Sequence, residues 1–354
     1  MKRSPELSVL WKVGVANPVL PFRIAWLEDR PAADLELARS LLPPDVSIDL
    51  LPLGESGLPT GQHSQLLGQS DALLVQRTPV SETLLALAPR ARLVQLYGVR
   101  DEGIDRDAAE RLGVRVEVTP LRGCIAVAEL AMTLVLALSK RLIQAHRMTV
   151  EAAYLQLGLE PSPTDQNTHA FQWLKLAGIF EVNGMKLGIF GLGEIGTELS
   201  HRARAFGMEV VYTKRSRLPE RSERTLGVTW NEPDQLLRDS DFVVLALPYS
   251  KPVHNLIGRR ELSLMKNSAF LVNVARGPLV DEVALVEALD AEQIAGAGLD
   301  VFVNEPLSND SPLARSDRVV LTPHIGGGSG GARVKQLSDV LANIVQFARS
   351  DKAD

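Results

Sequence analysis

Residues 185–200 read MKLGIFGLGEIGTELS, and this stretch decides how the chain folds. An apolar run over 185–190, typical of a buried strand, leads directly into a helical pattern over 194–206. Gly191 permits a tight turn, Gly193 lets the backbone approach a pyrophosphate, and Gly196 lets the helix pack close to the sheet. A pyrophosphate there would meet the free N–H groups of a helix N-terminus. The stretch predicts a dinucleotide-binding loop made of Gly191, Leu192, Gly193, Glu194, Ile195 and Gly196.

Short apolar strands alternate with amphipathic helices on both sides of this loop, as in open parallel sheets. Before the loop, strands are predicted over 22–28, 46–51, 71–77, 93–98 and 114–120, with helices over 32–42, 81–91 and 105–113. From the loop onward, strands are predicted over 185–190, 208–213, 241–247, 268–274, 294–302 and 318–324. A long helix over 125–147 and an irregular connection over 156–183 join the two groups, and a last helix over 331–350 is expected to pack on the first group.

The composition is typical of a globular chain and limits the kinds of partner that the chain can have. The 354 residues suit two domains, with 45 % hydrophobic and 23 % charged residues. A formal charge of −5 argues against nucleic acid as the main partner. The single cysteine, Cys124, excludes a disulfide framework and a thiolate metal cluster, which suits a reducing cytoplasm. We expect no metal, and no membrane anchor, since the apolar stretch 124–141 is shorter than a membrane span and contains Glu129.

Three further stretches begin where predicted strands of the second group end: NVARGPLVDE (273–282), GLDVFVNEPL (298–307) and LTPHIGGG (321–328). Ligands of open α/β sheets bind outside the carboxyl ends of the strands. Arg276, Glu305 and His324 are therefore expected to converge. Taken singly, each has a plain structural interpretation, as a surface cation, a turn residue and a loop histidine.

Together the three side chains suit hydride transfer at an alcohol carbon. Histidine can exchange the hydroxyl proton, because it titrates near neutral pH. A carboxylate beside the imidazole favours its charged form and holds the ring orientation. A guanidinium can bind a substrate carboxylate through two charge-assisted hydrogen bonds.

These motifs, in this order and spacing, resemble the D-isomer-specific 2-hydroxyacid dehydrogenases, a family that includes glyoxylate/hydroxypyruvate reductases, phosphoglycerate dehydrogenases and formate dehydrogenases. The resemblance covers about residues 71 to 330. It implies two doubly wound parallel-sheet α/β domains with the active site between them. Residues 1–123 and 325–354 would form a flavodoxin-like substrate domain, and 124–324 a Rossmann dinucleotide-binding domain. It also implies a homodimer formed through the helix at 125–147.

The resemblance assigns a role to each residue of the site. Arg276 would bind the substrate carboxylate, His324 would be the general acid/base, and Glu305 its carboxylate partner. Asp300 would contact the nicotinamide carboxamide. The remaining residues implied to line the cofactor are Leu247, Pro248, Val274, Ala275, His324 and Gly326.

The substrate loop of the first domain departs from the family pattern. Gly98 and Val99 fit it, and their backbone N–H groups would bind the substrate carboxylate. Tyr97 and Arg100 are bulkier than the residues this loop commonly carries. Arg100 could recognise a second anionic group or be a solvated surface cation. Both interpretations stay open.

Residues 210–217 read VVYTKRSR and follow the second strand of the predicted dinucleotide domain. NAD-binding members usually carry an acid at this point, which accepts hydrogen bonds from the ribose hydroxyls. Here Thr213 replaces it, followed by Lys214, Arg215 and Ser216. We expect these residues to bind a 2′-phosphate, so NADP(H) is the preferred cofactor and NAD(H) the alternative. The structural alternative is a solvated basic turn.

The predicted function is an NAD(P)-dependent oxidoreductase that acts on a small 2-oxoacid or D-2-hydroxyacid, of the glyoxylate/hydroxypyruvate reductase type. A phosphoglycerate dehydrogenase-like enzyme is the alternative within the family. A nucleotide-sensing, corepressor-like protein that binds peptide motifs is the alternative outside catalysis.

Overall fold

The computed structural model describes residues 21–54, 57–169, 171–328 and 332–350. The chain divides into two compact units. Unit 1 comprises Met1–Pro120 with Gly331–Asp354, and unit 2 comprises Leu121–Gly330. The sequence had placed the two crossings near residues 123 and 325.

Unit 1 is built on a parallel sheet of five strands. The strands are β1 (Phe22–Trp26), β2 (Val46–Leu50), β3 (Ala72–Val75), β4 (Leu93–Tyr97) and β5 (Arg115–Thr119). The helices between them are α1 (Ala32–Leu41), α2 (Gln62–Gly68), α3 (Glu82–Ala86) and α4 (Arg106–Arg111). The strand order β2-β1-β3-β4-β5 is that of flavodoxin-like doubly wound sheets. This confirms the predicted class of the first domain.

Side-chain caps define where two helices of unit 1 begin. The Ser81 side chain accepts a hydrogen bond from the Leu84 amide, and Asp105 accepts one from the Ala108 amide at 2.9 Å. Such caps satisfy backbone N–H groups that have no partner within the first turn. They explain why α3 and α4 start directly after a short loop.

Unit 2 is built on a parallel sheet of seven strands. They are β6 (Lys186–Phe190), β7 (Glu209–Thr213), β8 (Thr229–Trp230), β9 (Phe242–Leu245), β10 (Phe270–Asn273), β11 (Gly296–Leu299) and β12 (Val319–Leu321). Their order is β12-β11-β10-β9-β6-β7-β8. Counted from β6, this is the Rossmann order 3-2-1-4-5-6 with one strand added at the β12 edge. The predicted Rossmann class of the second domain is confirmed.

Helices cover this sheet. They are α5 (Arg122–Ser139), α6 (Leu142–Val150), α7 (Glu194–Ala205), α8 (Glu220–Leu226), α9 (Pro233–Asp239), α10 (Arg259–Leu264) and α11 (Glu282–Asp290). Ile189, Val243, Val244 and Leu271 are fully buried in the central strands. Parallel strands buried on both faces are continuously apolar, which is why the sequence showed short apolar runs rather than alternation.

The single helix predicted over 125–147 is wrong. The structure has α5 and α6, separated at Arg141, whose φ of 47° lies in the left-handed region and ends the helix. The Arg141 guanidinium donates to the Ala177 carbonyl at 3.1 Å, which stabilises the break. By length and composition α5 would pass for a membrane span, but its residues Leu134 and Val135 are buried in the core of unit 2.

The C-terminal helix α12 (Ala332–Ser350) belongs to unit 1. Val340, Leu341 and Ile344 on its inner face are buried. The Asn343 side chain donates to the hydroxyl of Thr119, the last residue of β5, at 2.9 Å. The N-terminal part of the described chain and its last helix, α12, therefore belong to the same unit.

Candidate active site

The loop between β6 and α7 has the geometry that a dinucleotide requires. Gly191 has a φ of 95°, and its amide donates to the Thr213 carbonyl at 2.9 Å. A Cβ on Gly191 would lie 2.7 Å from the Leu247 Cβ, so a side chain has no room there. The turn therefore needs glycine both for its backbone angle and for its contact with the neighbouring strand end.

Gly193 and Gly196 face different surroundings. A Cβ on Gly193 would meet nothing within 4 Å, which leaves the loop open toward a ligand. A Cβ on Gly196 would lie 2.5 Å from the Gly191 carbonyl oxygen, so the first turn of α7 packs against the loop itself. Leu192 is buried, and Glu194 and Ile195 begin the helix. An open backbone before free helical N–H groups fits a pyrophosphate.

The strand ends beside this loop hold the other residues expected to line a nicotinamide. Leu247 contacts the loop at Gly191, and Pro248 after it is exposed. Val274 and Ala275 follow β10 and are buried.

The residues of the turn after β7 differ in how far they are exposed to solvent. Thr213 is buried at the strand end, Lys214 is half-buried, and Arg215 and Ser216 are exposed. Arg217 differs, because it forms two hydrogen bonds to Glu223, at 2.9 and 2.8 Å. Within the basic cluster, Arg215 is thus exposed to solvent, whereas Arg217 is bonded to Glu223 within the fold.

Arg276 follows β10 and lies on a turn that Asn273 holds. The Asn273 amide nitrogen donates to the Arg276 carbonyl at 2.9 Å, and its oxygen accepts from the Ala275 amide at 3.0 Å. Asn273 itself is 1 % exposed, so both ends of a buried amide are satisfied. The Arg276 side chain is exposed, with Nη1 donating to the Ala275 carbonyl at 2.6 Å.

His324 and Glu305 form a hydrogen-bonded pair. The His324 Nδ1 atom lies 2.7 Å from Glu305 Oε2. The other oxygen, Oε1, accepts from the Phe302 amide at 3.1 Å, which fixes the carboxylate plane. The hydrogen bond from His324, helped by the Phe302 amide and the charge of Arg276, holds the pKa of Glu305 below its usual value despite partial burial. An ionised carboxylate only accepts, so the Nδ1 atom carries the proton and Nε2 is left for a reactant.

Gly277 brings the arginine turn against the Glu305 turn. A Cβ on Gly277 would lie 1.9 Å from the Phe302 carbonyl carbon, so the two backbones are in direct contact. Phe302 is also the residue whose amide binds Glu305. Arg276, Glu305 and His324 are therefore brought together within unit 2, as the sequence predicted.

Asp300 holds the turn that presents His324. Its side chain, 1 % exposed, accepts hydrogen bonds from the Thr322 hydroxyl at 2.7 Å and from the Ile325 and Gly326 amides at 2.9 Å each. His324 has a φ of 53°, which a non-glycine residue adopts only at a cost. The buried carboxylate therefore stabilises a strained turn, a role that its assignment to the nicotinamide had not included.

An apolar cavity of about 610 Å³ adjoins the His324–Glu305 pair. Its lining residues are Phe302, Glu305, Pro306, Leu307, Leu321, Thr322, Pro323 and His324.

The residues predicted for the substrate loop lie in unit 1, at the end of β4. Gly98 has a φ of 142°, and Val99 is half-buried. Tyr97 points into the fold, where the Arg30 guanidinium lies 5.6 Å from its ring centroid. Arg100 is exposed and pairs with Glu102 at 3.4 Å.

Cys124 lies close enough to Glu194 and Glu198 to feel their charge. Burial, and then these two carboxylates, raise the pKa of its thiol to about 11. The thiol is therefore protonated at neutral pH, which favours a packing role over a redox role. Within the described part of the chain, no group of three or more His, Cys, Asp or Glu side chains is placed to hold a metal ion.

Sequence reasoning missed the residues that support the site. Asn273 and Thr322 each stand within a quoted motif, but no role had been derived for them. Glu223, which binds Arg217, lies outside every motif. A polar residue at the end of an apolar strand was the available signal for Asn273.

The chain is similar in sequence to known proteins. Residues 132–326 match the family model for the NAD binding domain of D-isomer specific 2-hydroxyacid dehydrogenases. The glyoxylate reductase of Thermococcus gammatolerans is 40 % identical over 264 residues, which cover 75 % of each chain.

Solved structures agree with this similarity. The PH0520 protein of Pyrococcus horikoshii is 25 % identical with a TM-score of 0.56, covering 92 % of this chain and 91 % of that one. A glyoxylate reductase from Paecilomyes thermophila is 29 % identical with a TM-score of 0.51, covering 92 % and 95 %.

Proposed function

Because the chain belongs to the D-isomer-specific 2-hydroxyacid dehydrogenase family, we propose that it is a glyoxylate-type reductase that converts small 2-oxoacids to 2-hydroxyacids. The observation that carries the proposal is the His324–Glu305 pair, with Nδ1 at 2.7 Å from Oε2, beside the Arg276 turn. Glyoxylate is the substrate named for similar proteins at 35–40 % identity. We carry it to this chain as the first substrate to test.

The acid–base chemistry is assigned to His324. Its Nε2 atom donates a proton to the carbonyl oxygen of the 2-oxoacid as that oxygen becomes a hydroxyl. Glu305 stabilises the protonated imidazole before transfer and keeps the ring oriented. In the reverse direction the neutral ring accepts the hydroxyl proton. Asp300 acts on this step through the turn that it holds.

Substrate orientation is assigned to Arg276. Its guanidinium binds the substrate carboxylate through two charge-assisted hydrogen bonds and polarises the adjacent carbonyl. For unit 1, the binding of a substrate carboxylate by the backbone N–H groups of Gly98 and Val99 stays a prediction from the family resemblance. A dinucleotide bound with its pyrophosphate at the Gly191–Gly196 loop would supply the hydride from its reduced nicotinamide.

A panel of 2-oxoacids tests the proposed reaction. The purified protein is mixed with reduced cofactor and with glyoxylate, hydroxypyruvate, pyruvate or a phosphorylated 2-oxoacid, and loss of the cofactor absorbance is followed. We expect the highest kcat/KM with glyoxylate or hydroxypyruvate. A preference for the phosphorylated acid would move the assignment to a phosphoglycerate dehydrogenase-like enzyme. Absence of oxidation with every acid would contradict catalysis.

We propose further that NADPH is the preferred cofactor. The support is the turn after β7, where a buried threonine replaces an acid and Arg215 and Ser216 face solvent. A 2′-phosphate there would gain charge-assisted hydrogen bonds. We expect kcat/KM to be at least about tenfold higher with NADPH than with NADH, a difference of ~1.4 kcal/mol. In Arg215→Gln this ratio should fall while the NADH reaction is unchanged. Equal efficiency with NADH in the parent protein would contradict the preference.

A homodimer in the cytoplasm completes the proposal. The support for self-association is a series of exposed apolar residues on and after α6: Leu142, Ile143, Val150, Leu155, Leu157, Phe171 and Trp173. Exposed apolar residues in such number are characteristic of interaction surfaces. The reducing cytoplasm is proposed from the single cysteine, Cys124, which leaves no second thiol for a disulfide within the chain.

A further inference from the structure

The turn after β7 is fixed by a buried carboxylate. Glu223, on α8, is 8 % exposed. Its two oxygens accept two hydrogen bonds from Arg217, with Nε at 2.9 Å from Oε1 and Nη2 at 2.8 Å from Oε2. This fork-to-fork geometry is the most directional ion pair available to proteins. The Arg217 guanidinium carbon also lies 5.9 Å from the Trp230 ring centroid, so the cation is held on two sides.

The same carboxylate holds the start of the turn through Tyr212. The Tyr212 hydroxyl donates to Glu223 Oε1 at 2.7 Å and accepts from the Leu218 amide at 2.8 Å. Tyr212 belongs to β7 and is fully buried, and Leu218 follows the turn and is also buried. Both ends of the segment 213–217 are therefore tied to one point, Glu223. We call Tyr212, Arg217 and Glu223 the bracket.

The protonation states suit this arrangement. The hydrogen bonds from Arg217, supported by Tyr212, hold the pKa of Glu223 below its usual value although burial opposes this. Burial, and then the bond to Glu223, raise the pKa of Tyr212 to about 12. At neutral pH the carboxylate accepts and the hydroxyl donates, so the bracket is complete.

Building on the proposed cofactor preference, we propose that Glu223 is a positioning residue for cofactor choice. By holding Arg217 and Tyr212, it fixes the turn so that Arg215 and Ser216 face outward and receive the 2′-phosphate of the adenosine ribose. Arg217 itself is assigned to the bracket and not to the phosphate, because its Nε and Nη2 groups are bonded to Glu223.

Because Glu223 is charged, the proposal can be tested by whether its neutralisation strengthens or weakens phosphate binding. A carboxylate near an anion site repels the anion, so its neutralisation alone should strengthen phosphate binding. The bracket predicts the opposite, because Glu223→Gln keeps the shape of the side chain but weakens its hold on Arg217. A turn that is already fixed loses less conformational entropy when the ligand binds, so the ligand binds more tightly.

The experiment measures direct binding of two probes, adenosine 2′,5′-bisphosphate and AMP, by titration calorimetry of the full-length protein. For Glu223→Gln we expect the affinity for the bisphosphate to fall about tenfold, equal to ~1.4 kcal/mol. The affinity for AMP should change less than about twofold, since AMP has no 2′-phosphate. Tyr212→Phe serves as the second variant because it removes one hydroxyl without changing charge, and we expect the same loss.

Glu220→Gln is the matched control. Glu220 lies on the same helix, is 78 % exposed, and pairs with Arg224 at 3.6 Å. Its loss removes an equal charge and should not weaken the bisphosphate. Unchanged or tighter binding in Glu223→Gln would overturn the bracket, as would an equal loss of affinity for AMP. A parent protein that binds both probes equally would overturn the cofactor preference itself, and the bracket with it.

Discussion

At the scale of single residues, Arg276 is the strictest test of substrate binding. Its turn is fixed by Asn273 and by contact of Gly277 with Phe302, so the backbone that carries the guanidinium is held by buried neighbours. Arg276→Lys keeps the charge but loses the planar fork. We expect kcat/KM for the 2-oxoacid to fall by about 10²-fold or more, on the scale of a lost charge-assisted pair. The dissociation constant of the reduced cofactor, measured by fluorescence, should stay nearly unchanged. An unaltered rate of reduction would remove Arg276 from the site.

Glu305 gives a pH-dependent prediction at the same scale. Its pKa is depressed by the hydrogen bond from His324, so the pair stabilises the folded state above the unfolded-state pKa of about 4.3. This stabilisation is lost as the pH falls through the lower folded-state pKa. We expect the difference in Tm between the parent protein and Glu305→Gln to be present at pH 5 and to shrink as the pH falls below about 4. A difference that already vanishes at pH 6 would contradict an ionised Glu305.

The nearness of Arg276, Glu305 and His324 could be predicted from where the predicted strands end, and their proposed roles from their residue types and the family resemblance. The residues that hold the turns of these three side chains could not be predicted in this way. Asn273 acts through both ends of a buried amide, and Asp300 through three hydrogen bonds within a turn. Such contacts depend on backbone direction after the strand, which a linear pattern does not contain. A left-handed φ at His324 was likewise invisible in the residue type.

At the scale of elements, the β6–loop–α7 segment separates two effects of glycine. Gly196→Ala places a Cβ 2.5 Å from the Gly191 carbonyl, so the fold must shift. We expect it to lose roughly 1–3 kcal/mol of unfolding free energy, as overpacked sites do, and to bind cofactor weakly.

Gly193→Ala is the matched control, because its Cβ meets nothing within 4 Å. We expect a Tm close to that of the parent protein, with cofactor affinity reduced because the Cβ enters the path of the pyrophosphate. Chemical denaturation and cofactor titration of both variants measure the two effects separately. Equal Tm values for the two variants would contradict the assigned contacts.

The sequence predicted which strands and helices exist better than it predicted the residues at which they begin and end. Every strand predicted in the two units is present, within a few residues, because buried parallel strands are short apolar runs. The two-residue strand β8 was missed, since two residues carry no pattern. The division of α5 from α6 was also missed, because the hydrophobic periodicity continues across Arg141 while the backbone does not.

At the scale of the whole molecule, the strand order of the seven-stranded sheet could be predicted from the glycine loop after its first strand, which indicates the Rossmann order. The flavodoxin-like class of the five-stranded sheet was implied by the family resemblance. The assembly is a separate question. Val150 is 71 % exposed on α6, within the apolar series proposed for the homodimer. Val150→Glu should yield monomers in analytical ultracentrifugation, because a buried unpaired charge opposes association.

Val283→Glu is the control for this variant. Val283 is 65 % exposed on α11, outside the apolar series, so the charge should leave the oligomeric state unchanged. Dimers that persist in Val150→Glu, or a parent protein that is monomeric, would contradict the proposed interface.

The most direct test of the central claim compares glyoxylate reduction by the parent protein and by His324→Asn under saturating NADPH. Asparagine fills a similar space but cannot exchange a proton near neutral pH. We expect steady oxidation of NADPH by the parent protein and a kcat lower by roughly 10²–10⁴-fold in the variant. The dissociation constant for NADPH should be the same in both. A variant that reduces glyoxylate at the parent rate, or a parent protein that does not reduce it, would contradict the account.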